Sequence, residues 1–363
     1  MTTIREAAGS LLVVGLGGTE LTGLERAWLQ LIQPSGIILF RRNIADATQT
    51  HALLNQCMRY CSQAALRCVD IEGGTVDRLR DAVAPMPSAQ AVARTGNSKL
   101  MRRHGELIAR ETLAFGFNTT LAPVLDLALP ESAKVMGSRV AAAKPEGVVA
   151  YARAFLRGLA AHGVIGCGKH FPGLGGGDLD SHLETPAIER EWSELWNSDL
   201  VPYQQLKSEL PMLMVNHARY PKTRSGQGPA SVSHFWITKV LQQRIGYRGL
   251  IFSDDMEMGG ILKYLPMEEA TVAAVRAGMH LIEICHSPEL ILRGYEALIR
   301  EAERSAKFRT LLLERAAVTK WSRRKLFHQP MSRALTATRL AGLRDEVLRF
   351  AETVERHRDE TGA

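Results

Sequence analysis

Residues 249 to 256 read Gly-Leu-Ile-Phe-Ser-Asp-Asp-Met, an apolar run that ends abruptly in two adjacent acids. Strands buried on both faces of a parallel sheet have such continuously apolar sequences. Two carboxyl groups directly after a buried strand are costly unless they are paired or used. Because successive side chains alternate in direction, Asp254 is a candidate nucleophile facing a barrel axis, and Asp255 a candidate loop anchor. The alternative is that both acids only cap a helix.

The same kind of apolar run recurs along the chain and gives eight candidate strands. They are residues 11–15, 36–40, 67–70, 118–125, 164–168, 212–215, 249–253 and 280–285. Helical patterns lie between and after them, at residues 21–31, 46–65, 99–115, 146–161, 190–207, 234–244, 267–277 and 288–303. Eight strand-then-helix units predict an α/β fold, a (β/α)8 barrel of the TIM type.

An open doubly wound sheet is the main alternative fold, because it also alternates strands and helices. Such a sheet usually has a glycine-rich phosphate-binding turn after its first strand. Here residues 15–18 read Gly-Leu-Gly-Gly, which does not match Gly-x-Gly-x-x-Gly. The barrel is therefore favoured, with residues 1–334 as a single catalytic domain. Residues 335–363 are helical in composition and are expected to form a C-terminal helical tail.

Composition and charge argue against several classes of protein. The net charge is +7 and its basic excess lies late in the 363-residue chain, but no basic stripe with interleaved aromatic residues accompanies it, so nucleic-acid binding is not expected. Without a signal peptide or a run of 18 apolar residues, we expect a cytoplasmic protein with no membrane partner. The five cysteines lack zinc-site spacing, which predicts reduced thiols and neither a metal nor an organic cofactor.

Residues 169 to 182 read Lys-His-Phe-Pro-Gly-Leu-Gly-Gly-Gly-Asp-Leu-Asp-Ser-His and form a second candidate site. Lys169 and His170 end a predicted strand, and the glycines after them make a long loop of the kind that often carries function. Asp180 and His182 are two residues apart and can hydrogen-bond as a pair. A carboxylate that orients an imidazole gives an acid/base group suited to neutral pH. The alternative is a surface loop with a chance Asp-Ser-His sequence.

Together these segments resemble the glycoside hydrolases of family 3, specifically the single-domain β-N-acetylglucosaminidases. The family's loop reads Lys-His-Phe-Pro-Gly-x-Gly followed by Asp-Ser-His, and its nucleophile strand is similar to residues 251–258. The resemblance extends from about residue 10 to residue 300. It also includes the segments at residues 36–43, 70–78, 122–126, 137–139 and 229–231.

The resemblance implies an enzyme that hydrolyses terminal β-linked N-acetylglucosamine from a carbohydrate substrate, with retention of configuration. It implies that Asp254 attacks the anomeric carbon and that His182, oriented by Asp180, is the general acid/base. Five further residues would hold the non-reducing sugar, namely Asp70, Arg78, Arg139, Lys169 and His170. The implied substrate is a muropeptide fragment of peptidoglycan recycling, and we expect the enzyme to be a monomer.

Three positions depart from the family pattern. Leu174 stands where a second histidine is frequent, Ile71 replaces a common glutamine, and His280 stands where aspartate is frequent. Leu174 and His280 leave open a catalytically silent sugar-binding protein. The other alternative is a β-N-acetylglucosaminide phosphorylase, because a histidine in place of the usual second carboxylic acid repels phosphate less.

Overall fold

The computed structural model describes residues 2–177, 185–224, 226–327, 331 and 334–361. The strands of this part of the chain are β1 (Leu12–Val14), β2 (Gly36–Leu39), β3 (Leu66–Val69), β4 (Ile71–Gly73), β5 (Val76–Asp77), β6 (Thr119–Thr120), β7 (Ile165–Phe171), β8 (Met212–Val215), β9 (Leu250–Asp255) and β10 (Leu281–Ile284). Eight of them close a parallel barrel in the order β1-β10-β9-β8-β7-β6-β3-β2, while β4 and β5 form a separate antiparallel pair.

Helices follow the barrel strands and form the outer layer. The α-helices are α1 (Ile4–Gly9), α2 (Gly23–Ile32), α3 (Ala47–Cys57), α4 (Ala89–Arg94), α5 (Ser98–Ala114), α6 (Ala133–Met136), α7 (Pro145–Ala160), α8 (Trp192–Asn197), α9 (Val201–Leu206), α10 (Gly259–Leu262), α11 (Met267–Ala277), α12 (Pro288–Arg304), α13 (Ala306–Leu326) and α14 (Ala337–Thr361). Single 3-10 turns lie at Arg41–Asn43, Pro130–Ser132, Gly137–Arg139 and Ala230–Val232, and Phe235–Ile245 is π-helical. The predicted (β/α)8 barrel is confirmed.

The alternation of side chains along the strands divides the apolar core into two parts. One cluster fills the inside of the barrel and includes Val13, Ile38, Cys68, Cys167, Met214, Phe252, Leu281 and Cys285. The residues between them, such as Ile282 and Ile284, belong to the larger cluster that packs against the surrounding helices. The barrel is therefore a packed core, and an inward-facing residue near the end of a strand reaches its mouth.

The strand predicted at residues 118–125 is regular only over Thr119–Thr120. Pro123 has no backbone N–H, so it cannot donate to the ladder of hydrogen bonds. Pairing with β7 continues irregularly, since Lys169 N donates to Pro123 O at 3.1 Å and Leu125 N donates to Lys169 O at 2.5 Å. The irregular stretch still directs the chain toward the same end of the barrel.

Two predicted helices are shorter than the sequence pattern suggested. The helix expected at residues 46–65 ends at Cys57, and Ala64 takes a φ of 56°, which lies outside the helical region. The helix expected at residues 190–207 is divided into α8 and α9 because Ser198, with φ −135° and ψ −81°, leaves the helical conformation. Apolar periodicity continued across both breaks, which is why the sequence predicted single helices.

The C-terminal helix α14 packs on α4 and α5. Its buried face consists of Leu343, Val347, Phe350 and Val354. On the same helix the carboxylate of Glu346 meets Arg103 at 2.5 Å and Arg110 at 2.6 Å, both on α5. Helix α14 is therefore joined to the outer layer of the barrel by apolar contacts and by ion pairs.

The helices and the cysteines both bear on the kind of protein that this chain forms. Within the described ranges, every helix is too short or too polar to cross a lipid bilayer. The five cysteines all lie in those ranges and are free thiols, as predicted. Four of them are buried and the fifth, Cys61, is half-buried.

Candidate active site

A cavity of about 480 Å³ opens at the carboxyl ends of the barrel strands, where TIM barrels place their active sites. Six predicted site residues line it, namely Asp70, Arg78, Arg139, Lys169, His170 and Asp254. The structure thus brings together all the predicted site residues that it describes. Asp180 and His182, the predicted acid/base pair, lie outside the described residues.

The position of three of these residues follows from strand alternation. Asp70, Lys169 and Asp254 each come two residues after a member of the apolar cluster inside the barrel. Those members are Cys68, Cys167 and Phe252. Because residues two apart share one face of a strand, the three polar side chains face the barrel axis directly above that cluster.

A buried network of charges forms one wall of the cavity. Lys169 Nζ lies 3.0 Å from Asp70 Oδ1 and 2.6 Å from Glu72 Oε1. Arg139 binds both oxygens of Glu72, with its Nε and Nη2 each at 2.8 Å. Arg78 Nη2 lies 3.4 Å from Asp70 Oδ2. Glu72 therefore neutralises and orients Arg139 and Lys169, and Asp70 lies between the donor groups of Lys169 and Arg78.

The charges of this network are fixed near neutral pH. Burial would raise the pKa of Asp70, but Lys169 and Arg78 outweigh it and hold this pKa below its usual range. Burial would also raise the pKa of Glu72, but Arg139 and Lys169 outweigh it and hold this pKa well below its usual range. Burial would lower the pKa of Lys169, yet Asp70 and Glu72 raise it. Fixed donors and acceptors of this kind suit a neutral ligand with several hydroxyl groups.

His170 is oriented by a carboxylate. Its Nδ1 lies 2.7 Å from Asp126 Oδ2, and Asp126 also accepts from the backbone N–H groups of His170 at 3.2 Å and Leu174 at 2.7 Å. Since a carboxylate accepts, we assign the proton to Nδ1. The other ring nitrogen, Nε2, is 3.4 Å from Arg139 Nη2 and acts as an acceptor.

Asp254 and Asp255 both line the cavity but have different hydrogen-bond partners. Asp254 Oδ1 accepts from the backbone N–H of Asp255 at 3.0 Å, and its side chain faces the cavity. Asp255 Oδ1 accepts from the N–H of Glu257 at 3.0 Å, and its Oδ2 lies 3.3 Å from His286 Nε2. Asp255 therefore anchors the loop that follows β9.

His217, which follows β8, contacts the same loop. It is fully buried, with Nδ1 2.7 Å from Ser231 Oγ and Nε2 3.0 Å from the backbone oxygen of Asp255. Burial lowers the pKa of His217, so the ring is neutral and donates from Nε2. His217 thus positions the peptide next to Asp254.

Among the described residues, one group has side chains that could hold a metal ion. Asp255, Glu257 and His286 each offer a ligand atom, and these atoms lie within 4.8 Å of one another. The same side chains already bond within the protein, Asp255 to His286 and Glu257 Oε1 to the N–H of Ser287 at 2.8 Å. These hydrogen bonds are sufficient to account for the group.

The sequence did not identify three acids of this region, namely Glu72, Asp126 and Glu283. Glu72 and Asp126 lie in the quoted motifs, and a search for acids that could neutralise the buried cations would have found them. Glu283 lines the cavity from β10, where the sequence shows only one acid inside an apolar run.

The three departures from the family pattern lie in different places. Leu174 lines the cavity, so the change from histidine removes a polar group there. Ile71 is fully buried on β4. His280 precedes β10 at the opposite end of the barrel, where its Nδ1 accepts from Ile251 N at 3.1 Å. His280 therefore packs beneath the barrel and does not line the cavity.

A larger cavity lies beside this one and is chemically different. It measures about 900 Å³ and is lined mainly by alanine and other apolar residues, most of them in residues 128–143 between β6 and α7. Its lining includes Arg94 and three other polar residues, Gln90, Ser132 and Ser138, but no carboxyl group or histidine among the described residues. Of these two cavities, the smaller is the one lined by carboxyl and imidazole groups of described residues.

The chain is similar to known proteins over most of its length. The family model "Glycosyl hydrolase family 3 N terminal domain" matches residues 3–310. A β-hexosaminidase of Pseudomonas aeruginosa is 37% identical over 291 residues, which is 79% of this chain and 86% of the relative. A β-hexosaminidase of Glaesserella parasuis is 33% identical over 314 residues, 86% of this chain and 91% of the relative.

The chain is also similar to solved structures of glycosidases. NagZ from Neisseria gonorrhoeae in complex with N-trifluoroacetyl-D-glucosamine superimposes with a TM-score of 0.72 at 27% identity, covering 85% of this chain and 98% of that one. A family 3 β-N-acetylglucosaminidase from Paenibacillus sp. superimposes with a TM-score of 0.86 at 27% identity, covering 96% of this chain and 68% of that one.

Proposed function

Since this chain belongs to glycosyl hydrolase family 3 and is a glycoside hydrolase, we propose that it is a retaining, exo-acting β-N-acetylglucosaminidase with Asp254 as nucleophile. The observation that carries the proposal is that Asp254 lines one cavity with Asp70, Lys169 and His170. A carboxylate thus faces a site already supplied with fixed hydroxyl-binding groups.

The size of the cavity supports exo action. About 480 Å³ is enough for one sugar ring with its substituents, and the barrel core closes its floor. A terminal residue can enter such a site, whereas a sugar inside a polymer would need an outlet at both ends. The curated relatives are named β-hexosaminidases, which favours N-acetylhexosamine as that residue.

The proposed reaction has two steps. Asp254 attacks the anomeric carbon while His182, oriented by Asp180, protonates the departing oxygen, so that a covalent glycosyl–aspartate forms. His182 then takes a proton from water, whose oxygen attacks the anomeric carbon and releases the sugar and the Asp254 carboxylate. The two displacements retain the β configuration.

Sugar binding is assigned to the charged wall. Asp70 would accept hydrogen bonds from neighbouring sugar hydroxyls. The other polar groups of the sugar would bind the remaining residues of the wall, which are Lys169, Arg78, Arg139 and His170. Because Glu72 already holds Lys169 and Arg139 in place, these contacts require little reorganisation on binding.

We also propose that the natural substrate is a muropeptide fragment of peptidoglycan recycling. Three arginines line the cavity, and they differ in their partners. Arg41 pairs with Asp81 and Arg78 with Asp70, whereas Arg42 donates to the backbone oxygens of Leu16 and Cys285 and keeps its positive charge for a ligand. Muropeptides carry carboxylates on the part that leaves, so a cationic mouth complements them. A neutral leaving group would gain nothing from these arginines.

The test is hydrolysis of 4-nitrophenyl N-acetyl-β-D-glucosaminide compared with the corresponding β-glucoside, with and without phosphate. We expect strong preference for the N-acetyl sugar, free sugar as product, and loss of turnover in Asp254→Ala and His182→Ala. Sugar 1-phosphate that forms only with phosphate would identify a phosphorylase instead. Binding without turnover under either condition would identify a silent sugar-binding protein.

A further inference from the structure

Among the described residues that line the candidate active-site cavity, five are lysine or arginine, and one of these has no carboxylate partner. The four with partners are Arg41 with Asp81 at 2.9 Å, Arg78 with Asp70 at 3.4 Å, Arg139 with Glu72 at 2.8 Å, and Lys169 with Asp70 at 3.0 Å. The fifth is Arg42, which donates to backbone oxygens and forms no ion pair with a described residue. Its positive charge is therefore not neutralised within the described part of the chain.

The guanidinium of Arg42 is held in place by backbone oxygens that follow two other strands. Its Nε donates to Leu16 O at 3.0 Å, after β1, and its Nη2 donates to Cys285 O at 2.7 Å, after β10. Its central carbon also lies over the ring of Phe40, 4.8 Å from the ring centroid, where a cation and an aromatic ring attract each other. Because these contacts already fix the side chain, binding a ligand orders it little further.

Part of the guanidinium remains available to a ligand. The group has five N–H donors in a planar fork, and the bonds to Leu16 and Cys285 use one donor of Nε and one of Nη2. The other donors, two on Nη1 and one on Nη2, have no partner among the described residues. Such a fork binds a carboxylate through two hydrogen bonds. Arg42 is exposed and lines the cavity, so a ligand in the cavity can reach these donors.

The leaving group of the substrate is the part that can carry such a carboxylate. N-acetylglucosamine, the proposed terminal sugar, has no negative charge, so an anion bound by Arg42 belongs to the other side of the scissile bond. The carboxylate of Asp254 lines the same cavity and repels an anionic leaving group. A fixed positive charge beside the cavity offsets this repulsion.

We propose that Arg42 is a specificity-determining residue whose guanidinium binds a carboxylate on the leaving group. The inference rests on the proposed function and deepens it, because it names the chemical class of leaving group that the enzyme favours and the residue that recognises it. Arg41 and Arg78 line the same cavity but do not share this role, since Asp81 and Asp70 already neutralise their charges.

The test uses N-acetyl-β-glucosaminides of the hydroxybenzoic acids, with the carboxyl group at ring position 2, 3 or 4, and the corresponding neutral carboxamides. The measured quantity is the ratio of kcat/KM for each acid to kcat/KM for its amide. A purely structural effect of replacing Arg42 changes both members of a pair alike, so the ratio isolates recognition of the charge. Arg42→Gln should lower this ratio about 3- to 10-fold for at least one ring position, as for a partly exposed bidentate pair. Arg42→Lys keeps the charge and should recover part of the ratio.

Arg41→Gln is the matched control, because Arg41 lines the same cavity but is paired with Asp81. Its ratios should equal those of the unchanged enzyme. Unchanged ratios in Arg42→Gln at all three ring positions, or an equal fall in Arg41→Gln, would overturn the inference. Turnover by Asp254→Ala, or no hydrolysis of any compound in the series by the unchanged enzyme, would instead contradict the proposed function itself.

Discussion

Lys169 on β7 reaches across the mouth of the barrel to Asp70 at the end of β3, and the two charged atoms lie 3.0 Å apart. Both side chains are largely buried, so the pair is screened little by solvent. Glu72 binds the same ammonium at 2.6 Å, which leaves Lys169 with two anionic partners. A sugar hydroxyl that enters the cavity therefore meets groups whose charge and direction are already set.

Replacing Lys169 should impair both binding and folding. Lys169→Met leaves Asp70 and Glu72 with one cation fewer each, and removal of one member of a buried ion pair costs about 3–5 kcal/mol. We expect a raised KM for the N-acetylglucosaminide and a lower free energy of unfolding, measured by steady-state kinetics and urea titration. Lys307→Met, at an exposed lysine, is the matched control. Equal behaviour of the two variants would contradict the role of the network.

Asp126 should control activity through the ring of His170. Asp126→Asn removes the carboxylate that accepts from Nδ1, so the ring can turn or change tautomer. We expect kcat/KM to fall about 10- to 100-fold, as for other groups that orient a functional side chain. Asp345→Asn, at an exposed aspartate of α14, should leave kcat/KM unchanged. If Asp126→Asn also leaves it unchanged, His170 is not held by this contact.

The ion pairs of Glu346 predict a loss of stability in acid. The hydrogen bond from Arg110, with further pairing to Arg103, lowers the pKa of Glu346 to about 2. A carboxyl whose pKa is lower in the folded state contributes stability above its unfolded pKa and loses it as pH falls. The contribution should therefore disappear between about pH 4.5 and pH 2.

Glu346→Gln tests this assignment, because the amide keeps the size of the side chain without its charge. Melting temperatures measured from pH 6 to pH 2 should fall less steeply in Glu346→Gln than in the unchanged protein. Glu355→Gln, at an exposed acid of the same helix, is the control and should follow the unchanged protein. Identical slopes in all three proteins would show that the pairs add no stability.

The packing of α14 predicts different effects for two neighbouring residues. Phe350 is buried, and its ring stacks on His104 with centroids 5.9 Å apart, whereas Leu348 is 41% exposed. Phe350→Ala should lower the free energy of unfolding by about 3–5 kcal/mol. Leu348→Ala should change it by less than about 0.5 kcal/mol. Similar small effects in chemical denaturation would mean that α14 does not pack on α5 in solution.

The sequence predicted the barrel because eight apolar runs and eight helical patterns alternate, which is information that each segment carries locally. Its errors were also local: residues 118–125 continued an apolar pattern past Pro123, which cannot donate to a ladder. The helix predicted at residues 46–65 was also too long. Apolar periodicity does not reveal a residue such as Ala64, whose φ is positive.

The candidate site could be predicted where a motif contains the residue, as for Asp70, Lys169 and Asp254. The ion pairs between residues of different strands could not be predicted. The pairing of Glu72 with both Lys169 and Arg139 depends on the closure of the barrel. Glu283 was also missed, because it joins the other residues of the cavity only when β10 pairs with β9.

The central claim is that Asp254 becomes covalently bonded to the sugar. The most direct measurement is to treat the enzyme with a 5-fluoro N-acetyl-β-glucosaminyl fluoride, which slows the second step, and to locate the added mass by peptide mass spectrometry. We predict one sugar per chain, attached to Asp254 within residues 249–256 and absent from Asp254→Ala. A sugar attached to another residue, or full turnover with Asp254 unmodified, would contradict the mechanism.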